Sequence, residues 1–354
     1  MITLLAPYGR NEVTSAAVRL AELVMSLGRD VRLVACGVHE RAVHPFWDER
    51  VVRGHGSAAI AKAASKSTAV VHFQCHQAWF EAASLPRNKV NGIKQILVPN
   101  WHGMGRREAS LIPRYDQLVC PSRLCKQVIQ TEVFGGDKMD KDRLTWCRWD
   151  AGLPPVTREG TVGDASQKAC VYADAATVDF CAPMVIQLLG ELLAMFPALS
   201  LSVVSAKSWC RRDKAALKAA VAKWTPRLAV RRLGNLFDLT KEFHAHDWAV
   251  LPSVRADFGL AAARALACGT PVVCHDVAPF DEVVCQDSGV LVPCEIRTGA
   301  AKAPVAVPSL GNWVEACASA FKDTRRLLRL QTIDWKLSEA QAAFNNTWRH
   351  ALDE

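Results

Sequence analysis

The residues best suited to do chemistry lie together in 251–293, LPSVRADFGLAAARALACGTPVVCHDVAPFDEVVCQDSGVLVP. An apolar run ends at Pro252-Ser253. A loop carrying Arg255, Asp257, Phe258 and Gly259 follows, and a small-residue helix is predicted over 261–268. Glycine at 259 lets backbone come close to a ligand, and the free N–H groups of a first helical turn attract an anion. Arg255 and Arg264 add positive charge beside that turn. The ligand chemistry that fits this set is a diphosphate. The same residues also fit an ordinary strand–turn–helix with two surface arginines.

Other chemical groups follow predicted strands nearer the start. His102, beside Gly103 and after a strand over 95–99, can hydrogen-bond a hydroxyl, or be satisfied by local backbone. Asn11 and Glu12 in the first loop read as contacts to a second substrate or as a solvated loop. His72 and His76 have the i, i+4 spacing of a metal pair, but that geometry needs a helix and 70–73 reads as strand, so no metal is expected. Basic and aromatic residues cluster as Arg10, Trp101, Arg106, Arg107, Arg114, Trp146, Arg148 and Trp149. Aromatics stack on exposed bases while Arg and Lys follow phosphates.

These groups need elements that bring strand ends together. Strands are predicted at 2–6, 31–35, 69–73, 95–99 and 117–120, with helices at 16–27, 58–64 and from 123, capped by Ser122. The polar, Pro- and Gly-rich segment 151–166 interrupts the alternation. Strands then recur at 169–172, 199–204, 228–232, 248–251, 271–274 and 290–292. Helices recur at 182–196, 214–223, 239–244, 261–268, 280–284, 313–330 and 337–352. Alternating β and α elements predict an α/β chain of two doubly wound parallel sheets, with ligands outside the carboxyl ends of the strands. The expected division is 1–153, a linker 154–167, 168–332, and a terminal helix over 333–354.

Composition bounds the rest. Half of the 354 residues are hydrophobic, which excludes a disordered or fibrous chain. The net charge of +8 is uneven: up to Pro155 there are 21 Lys and Arg against 14 Asp and Glu, and beyond it 22 against 21. The basic first half points to an acidic partner, nucleic acid or an anionic membrane, or to a plain soluble surface. Thirteen scattered cysteines show no C-x-x-C or zinc spacing, and Cys36, Cys170, Cys268 and Cys274 sit in apolar runs, which fits a reducing compartment. The start, MITLLAPYGR, enters an apolar strand with no basic leader. The longest apolar candidate, 182–201, is broken by Gln187, Glu191 and Pro197. A cytoplasmic location is expected.

The 251–293 stretch resembles the retaining nucleotide-sugar glycosyltransferases of GT-B fold, often called group 1. Their motif PS-x-x-E-G-F-G-L-x-x-x-E-A-M-A-x-G-x-P-V-V is followed by E-V-V and G-x-L-V-x-P. Pro252-Ser253, Phe258-Gly259-Leu260, Ala265-Leu266-Ala267-Cys268-Gly269-Thr270-Pro271-Val272-Val273, Glu282-Val283-Val284 and Gly289-Val290-Leu291-Val292-Pro293 keep its order and spacing. Weaker similarity covers 115–122, 233–248 and 332–335.

The resemblance implies two Rossmann-like domains facing across a cleft, with the terminal helix crossing back to the first. It implies sugar transfer, hexosyl or pentosyl, from a nucleotide-sugar, most simply a UDP-sugar, to an acceptor hydroxyl, with no cofactor required. Front-face attack would let a phosphate oxygen take the hydroxyl proton, while protein groups position the partners and stabilise developing charge. The donor side then comprises Ser253, Arg255, Asp257, Phe258, Gly259, Leu260, Arg264 and Lys207. The acceptor side comprises Gly9, Arg10, Asn11, Glu12, Trp101, Arg106 and Arg107, with His102 and Asp257 nearest the reacting centre.

The chain departs from the family pattern in places. Ala256 and Arg264 stand where the two glutamates of the E-x7-E element are usual, and Asp257 is one place from the first. The loop 173–180 lacks the usual diphosphate-binding Arg and Lys, and the first-loop glycine pair is reduced to Gly9-Arg10-Asn11. Arg255, Arg264, Lys207 and Arg10 are the candidates to supply the missing charge. The basic first half and its tryptophans suit a polyanionic acceptor, such as a hydroxymethyl-pyrimidine in DNA. Lipid, envelope-glycan or protein acceptors, docking at a membrane surface, and a GT-B chain that binds without turnover are the alternatives.

Overall fold

The computed structural model describes residues 1–9, 11–39, 44, 46–54, 62, 64–74, 92–100, 106–134, 143–153, 167–173, 182–206, 208–233, 238–254, 258–298, 304–323 and 334–353. The chain divides into two compact units. One comprises Met1–Trp149, Thr298–Ala303 and Ala340–Glu354, and the other Asp150–Arg297 and Pro304–Glu339. Both are α/β.

The first unit has a seven-stranded sheet in the order β3-β2-β1-β4-β5-β6-β7. Its strands are β1 (Ile2–Tyr8), β2 (Val31–His39), β3 (Val52–Gly54), β4 (Ala69–Phe73), β5 (Lys94–Val98), β6 (Gln117–Cys120) and β7 (Leu144–Trp146), and every neighbouring pair is parallel. The inner strands β1 and β4 are buried along their whole length, as their continuous apolar runs require. Helices α1 (Glu12–Ser26), α2 (Arg106–Leu111) and α3 (Arg123–Val128) belong to this unit, and Ser122 Oγ caps α3 by accepting from Cys125 N at 3.0 Å.

Helix α1 begins four residues before the expected 16, and the reason is its cap. Asn11 Oδ1 accepts from Thr14 N at 2.8 Å, and Glu12 puts an acid in the first turn. Thr14 and Ser15 look like loop residues by polarity, yet both are buried. The Thr14 hydroxyl accepts from Gly9 N at 3.0 Å and donates to Pro7 O at 2.9 Å, so it belongs to the turn itself.

The second unit has a six-stranded, wholly parallel sheet in the order β10-β9-β8-β11-β12-β13. These strands are β8 (Lys168–Tyr172), β9 (Ser200–Ser205), β10 (Leu228–Arg232), β11 (Trp248–Leu251), β12 (Val272–His275) and β13 (Gly289–Val292). The helices are α4 (Ala182–Met195), α5 (Arg211–Trp224), α6 (Leu239–His244), α7 (Leu260–Ala267), α8 (Phe280–Val283) and α9 (Leu310–Lys322). A separate pair, β14 (Glu295–Thr298) and β15 (Pro304–Val307), was not anticipated. One core joins α4 and α9 through Val185, Leu189, Leu192, Trp313 and Phe321, and a second lies under α7 and α8.

The last helix, α10 (Asp334–Asp353), is assigned to the first unit from Ala340 onward. Phe344 and Trp348 are fully buried against Trp149, with ring centroids 5.0 and 5.9 Å away, and Phe73 closes the cluster at 5.8 Å. Arg29 pairs with Asp353 at 2.7 Å. The cluster corrects one expectation: Trp149 is core and has no face to offer a base.

His72, on β4, is 1 % exposed, with Tyr115 Oη 3.2 Å from Nδ1. Burial lowers its pKa from 6.5 to about 3. Its folded pKa lies below its unfolded one, so its contribution is complete above pH 6.5 and is lost as pH falls toward 3. At about 1.4 kcal/mol per pH unit, the first unit should lose on the order of 2–3 kcal/mol by pH 4.5 through this residue. Urea unfolding at pH 7.5, 6.0 and 4.5 checks it, and His72→Gln should flatten that slope.

Candidate functional site

Each sheet has a switch point where the strand order reverses, between β1 and β4 in the first unit and between β8 and β11 in the second. Ligands of such sheets bind at the carboxyl ends of those strands. The 253–260 loop leaves β11 at the switch point of the second unit. Asn11 follows β1 at that of the first.

In the second unit the exit of β11 is fixed on two sides. Val254 O accepts from Ala306 N at 3.1 Å, which ties the loop to β15. Ser253 O accepts from His275 Nδ1 at 2.8 Å, which ties it to β12. Gly259 then takes φ +69 and caps α7, a left-handed conformation that favours glycine. A β-carbon there would stand 3.1 Å from Val283 and 3.4 Å from Pro279, so α8 also packs against the bare backbone. Ala263 N donates to Gly259 O at 3.0 Å, which closes the first turn of α7 at the end of β11.

The proposed donor residues fall into distinct groups. Ser253, Gly259 and the start of α7 come together at the end of β11. Phe258 and Leu260 are each 2 % exposed, so their side chains anchor the loop and what they offer a ligand is backbone. Arg264 is 6 % exposed on α7, and a guanidinium at that depth is held by local partners. Lys207, Arg255 and Asp257 lie outside the described residues.

In the first unit, Gly9, Asn11 and Glu12 form the turn from β1 into α1, and the Asn11 carboxamide is engaged as the helix cap. Tyr8 donates to Asp48 Oδ1 at 2.8 Å, which brings the 44–50 segment beside the end of β1. Arg106 and Arg107 open α2. Arg10, Trp101 and His102 lie outside the described residues, as does His76. Trp146 is half-buried beneath the guanidinium of Arg123, 4.6 Å from its ring, so Arg123 joins the basic cluster that Trp149 leaves.

Gln74 opens the loop after β4, one of the post-strand loops that the α/β pattern points to. It is 5 % exposed just beyond β4, and its Oε1 accepts from Asn100 N at 3.1 Å, fixing where the 101–105 loop departs. A buried glutamine at a strand's carboxyl end was the available signal. A cavity of about 540 Å³ opens at the opposite end of this sheet, among Met1, Met25, Arg29, Arg32, Trp47 and Arg50.

Burial pushes the Cys36 thiol up to about 12 and raises those of Cys170 and Cys274, so these behave as small apolar side chains. Among the described residues no cluster of metal-ligating side chains occurs, and no helix is long and apolar enough to cross a membrane.

Residues 175–306 match the family model described as Glycosyl transferases group 1. The fold is similar to Anabaena Alr3699/HepE, solved with UDP and glucose (TM-score 0.70, 12% identity, 100% of this chain and 99% of that one). It is also similar to the pneumococcal O-GlcNAc transferase GtfA, solved with UDP and GlcNAc (TM-score 0.70, 9% identity, 99% and 98%). Against a GtfA/B complex (TM-score 0.59, 13% identity), 84% of this chain is covered and it spans 61% of that chain. No curated protein sequence matches significantly. The chain thus has the GT-B fold, and its residues 175–306 are similar to the group 1 glycosyl transferases.

Proposed function

We propose that this glycosyltransferase moves a sugar from a UDP-sugar to a hydroxyl of a polyanionic acceptor, such as a hydroxymethyl-pyrimidine in DNA, with retention. The observation that carries the donor half is the exit of β11. A pinned carbonyl at Ser253, a left-handed Gly259 and the first turn of α7 converge at a switch point. There the leaving diphosphate meets backbone N–H groups and the arginines of the same segment, Arg255 foremost. The similar structures solved with UDP support uridine as the nucleotide. In this reading the acceptor hydroxyl loses its proton to a phosphate oxygen as the sugar–phosphate bond breaks, and the acceptor side is the turn at Gly9–Glu12 with the loop at Trp101 and His102.

The acceptor half rests on charge: the surplus of basic residues up to Pro155, with Arg114 exposed and Trp146 partly so. The replacements at Ala256 and Arg264 favour a second reading, binding without turnover.

Sugar transfer from a panel of nucleotide-sugars to plain DNA, hydroxymethylated DNA, lipid and glycan acceptors separates these readings. The expected result is transfer from a UDP-sugar to hydroxymethylated DNA, with affinity falling steeply with salt. No DNA binding at low salt ends the DNA acceptor. Donor binding with no transfer to any acceptor favours the second reading. Arg255→Glu should weaken donor affinity by about tenfold or more, and unchanged affinity would remove Arg255 from the donor site.

A further inference from the structure

We propose that His275 is a positioning residue for the donor loop. It holds the Ser253 carbonyl, and through it the backbone from which the 254–259 loop and α7 start. The inference rests on the donor reading of that loop.

His275 is the last residue of β12 and is fully buried. Its two ring nitrogens face partners that each allow one role. Ser253 O, 2.8 Å from Nδ1, can only accept. Trp313 Nε1, 2.9 Å from Nε2, can only donate. The ring is therefore neutral, with its proton on Nδ1, and both nitrogens are satisfied. The Trp313 ring stands edge-on at 4.8 Å, fixing the imidazole plane.

Trp313 is itself anchored. It lies in the first turn of α9, where Ser309 Oγ accepts from Asn312 N at 3.4 Å and Asn312 Nδ2 donates to Pro293 O at 2.8 Å. A line of hydrogen bonds thus runs from the helix after β15, through the end of β12, to the end of β11. A histidine satisfied merely as core would not need to end on the carbonyl of the residue that opens the ligand loop. Nothing else among the described contacts ties the Ser253 carbonyl to the sheet.

The test compares wild type with His275→Leu, His275→Asn and Trp313→Phe, all checked for cooperative melting. Leucine fills the space with no hydrogen bond, and asparagine can still donate to Ser253 O. Two readouts are used: titration with UDP and UDP-glucose, and amide hydrogen exchange over 253–263. The expected result for His275→Leu is about tenfold weaker nucleotide binding, a raised donor KM with kcat nearly unchanged, and faster exchange in the loop. His275→Asn should recover most of both, and Trp313→Phe should fall between.

Unchanged exchange in His275→Leu, or equal losses in the leucine and asparagine variants, would overturn the proposal. If wild type binds no nucleotide while the leucine variant still loses loop protection, the donor reading fails and the positioning of the loop stands. If His275→Leu does not fold, the ordering of wild type, His275→Asn and Trp313→Phe in loop exchange decides. Identical exchange in all three overturns it.

Discussion

Trp149→Ala should destabilise the first unit by about 3–5 kcal/mol, the range for deleting a large buried aromatic side chain. The indole is fully buried and packs on Phe73, Phe344 and Trp348. Two of those partners lie on α10, so the lost packing frees the end of the chain as well as the edge of the sheet. The expected signature is a lower urea midpoint together with faster amide exchange over 340–353. Trp149→Phe should keep part of the cluster and lose less. The variant also decides a functional question. A tryptophan that stacked on an acceptor base would, when removed, leave stability intact and weaken nucleic-acid binding. The core position predicts the reverse: at temperatures where the variant is folded, nucleic-acid affinity is unchanged. Unaltered stability with weakened binding would return Trp149 to the surface.

Trp149 also shows where a sequence stops being legible. Between Arg148 and Asp150 it looks like an exposed aromatic in a basic patch, because two of the partners that bury it, Phe344 and Trp348, are almost 200 positions away. Where structure is local, the sequence pattern locates the elements closely. The elements at 228–232, 239–244 and 248–251 fall at the predicted residues, since short apolar runs there are bounded by clear breakers. The polarity of Thr14 and Ser15 delays the predicted start of α1, and polarity does not reveal that a hydroxyl is spent on Pro7 O. The strands β3 and β7 have three residues each, too few to carry a period. At the candidate site, Gly259 was legible because a left-handed turn leaves a glycine in the sequence. His275 was not, because its role is made by Ser253, 22 residues away, and Trp313, 38 away.

The motif glycine at 289 gives the other large expected effect, and its basis differs from that at 259. Gly289→Ala should cost the second unit about 3 kcal/mol, the upper part of the range for overpacking a filled interior. Its backbone φ is ordinary; the constraint is space. A β-carbon on Gly289 would lie 2.2 Å from the Val272 carbonyl oxygen and 2.6 Å from Val284 Cγ1. The first of these is backbone of β12, directly opposite in the parallel pair, and cannot rotate away. Relief requires β12 and β13 to part, and β12 ends in His275, whose ring is hydrogen-bonded to the Ser253 carbonyl. Donor affinity should therefore fall along with stability in any fraction that folds. Gly190, within α4, is the control. Nothing lies within 4 Å of a β-carbon there, so Gly190→Ala should stabilise the unit by about 0.5–1 kcal/mol through helix propensity alone. Thermal melts of the two variants should move in opposite directions. A Gly289→Ala protein that melts with wild type would mean that the β12–β13 pair yields without cost, and would leave this motif glycine without a packing role.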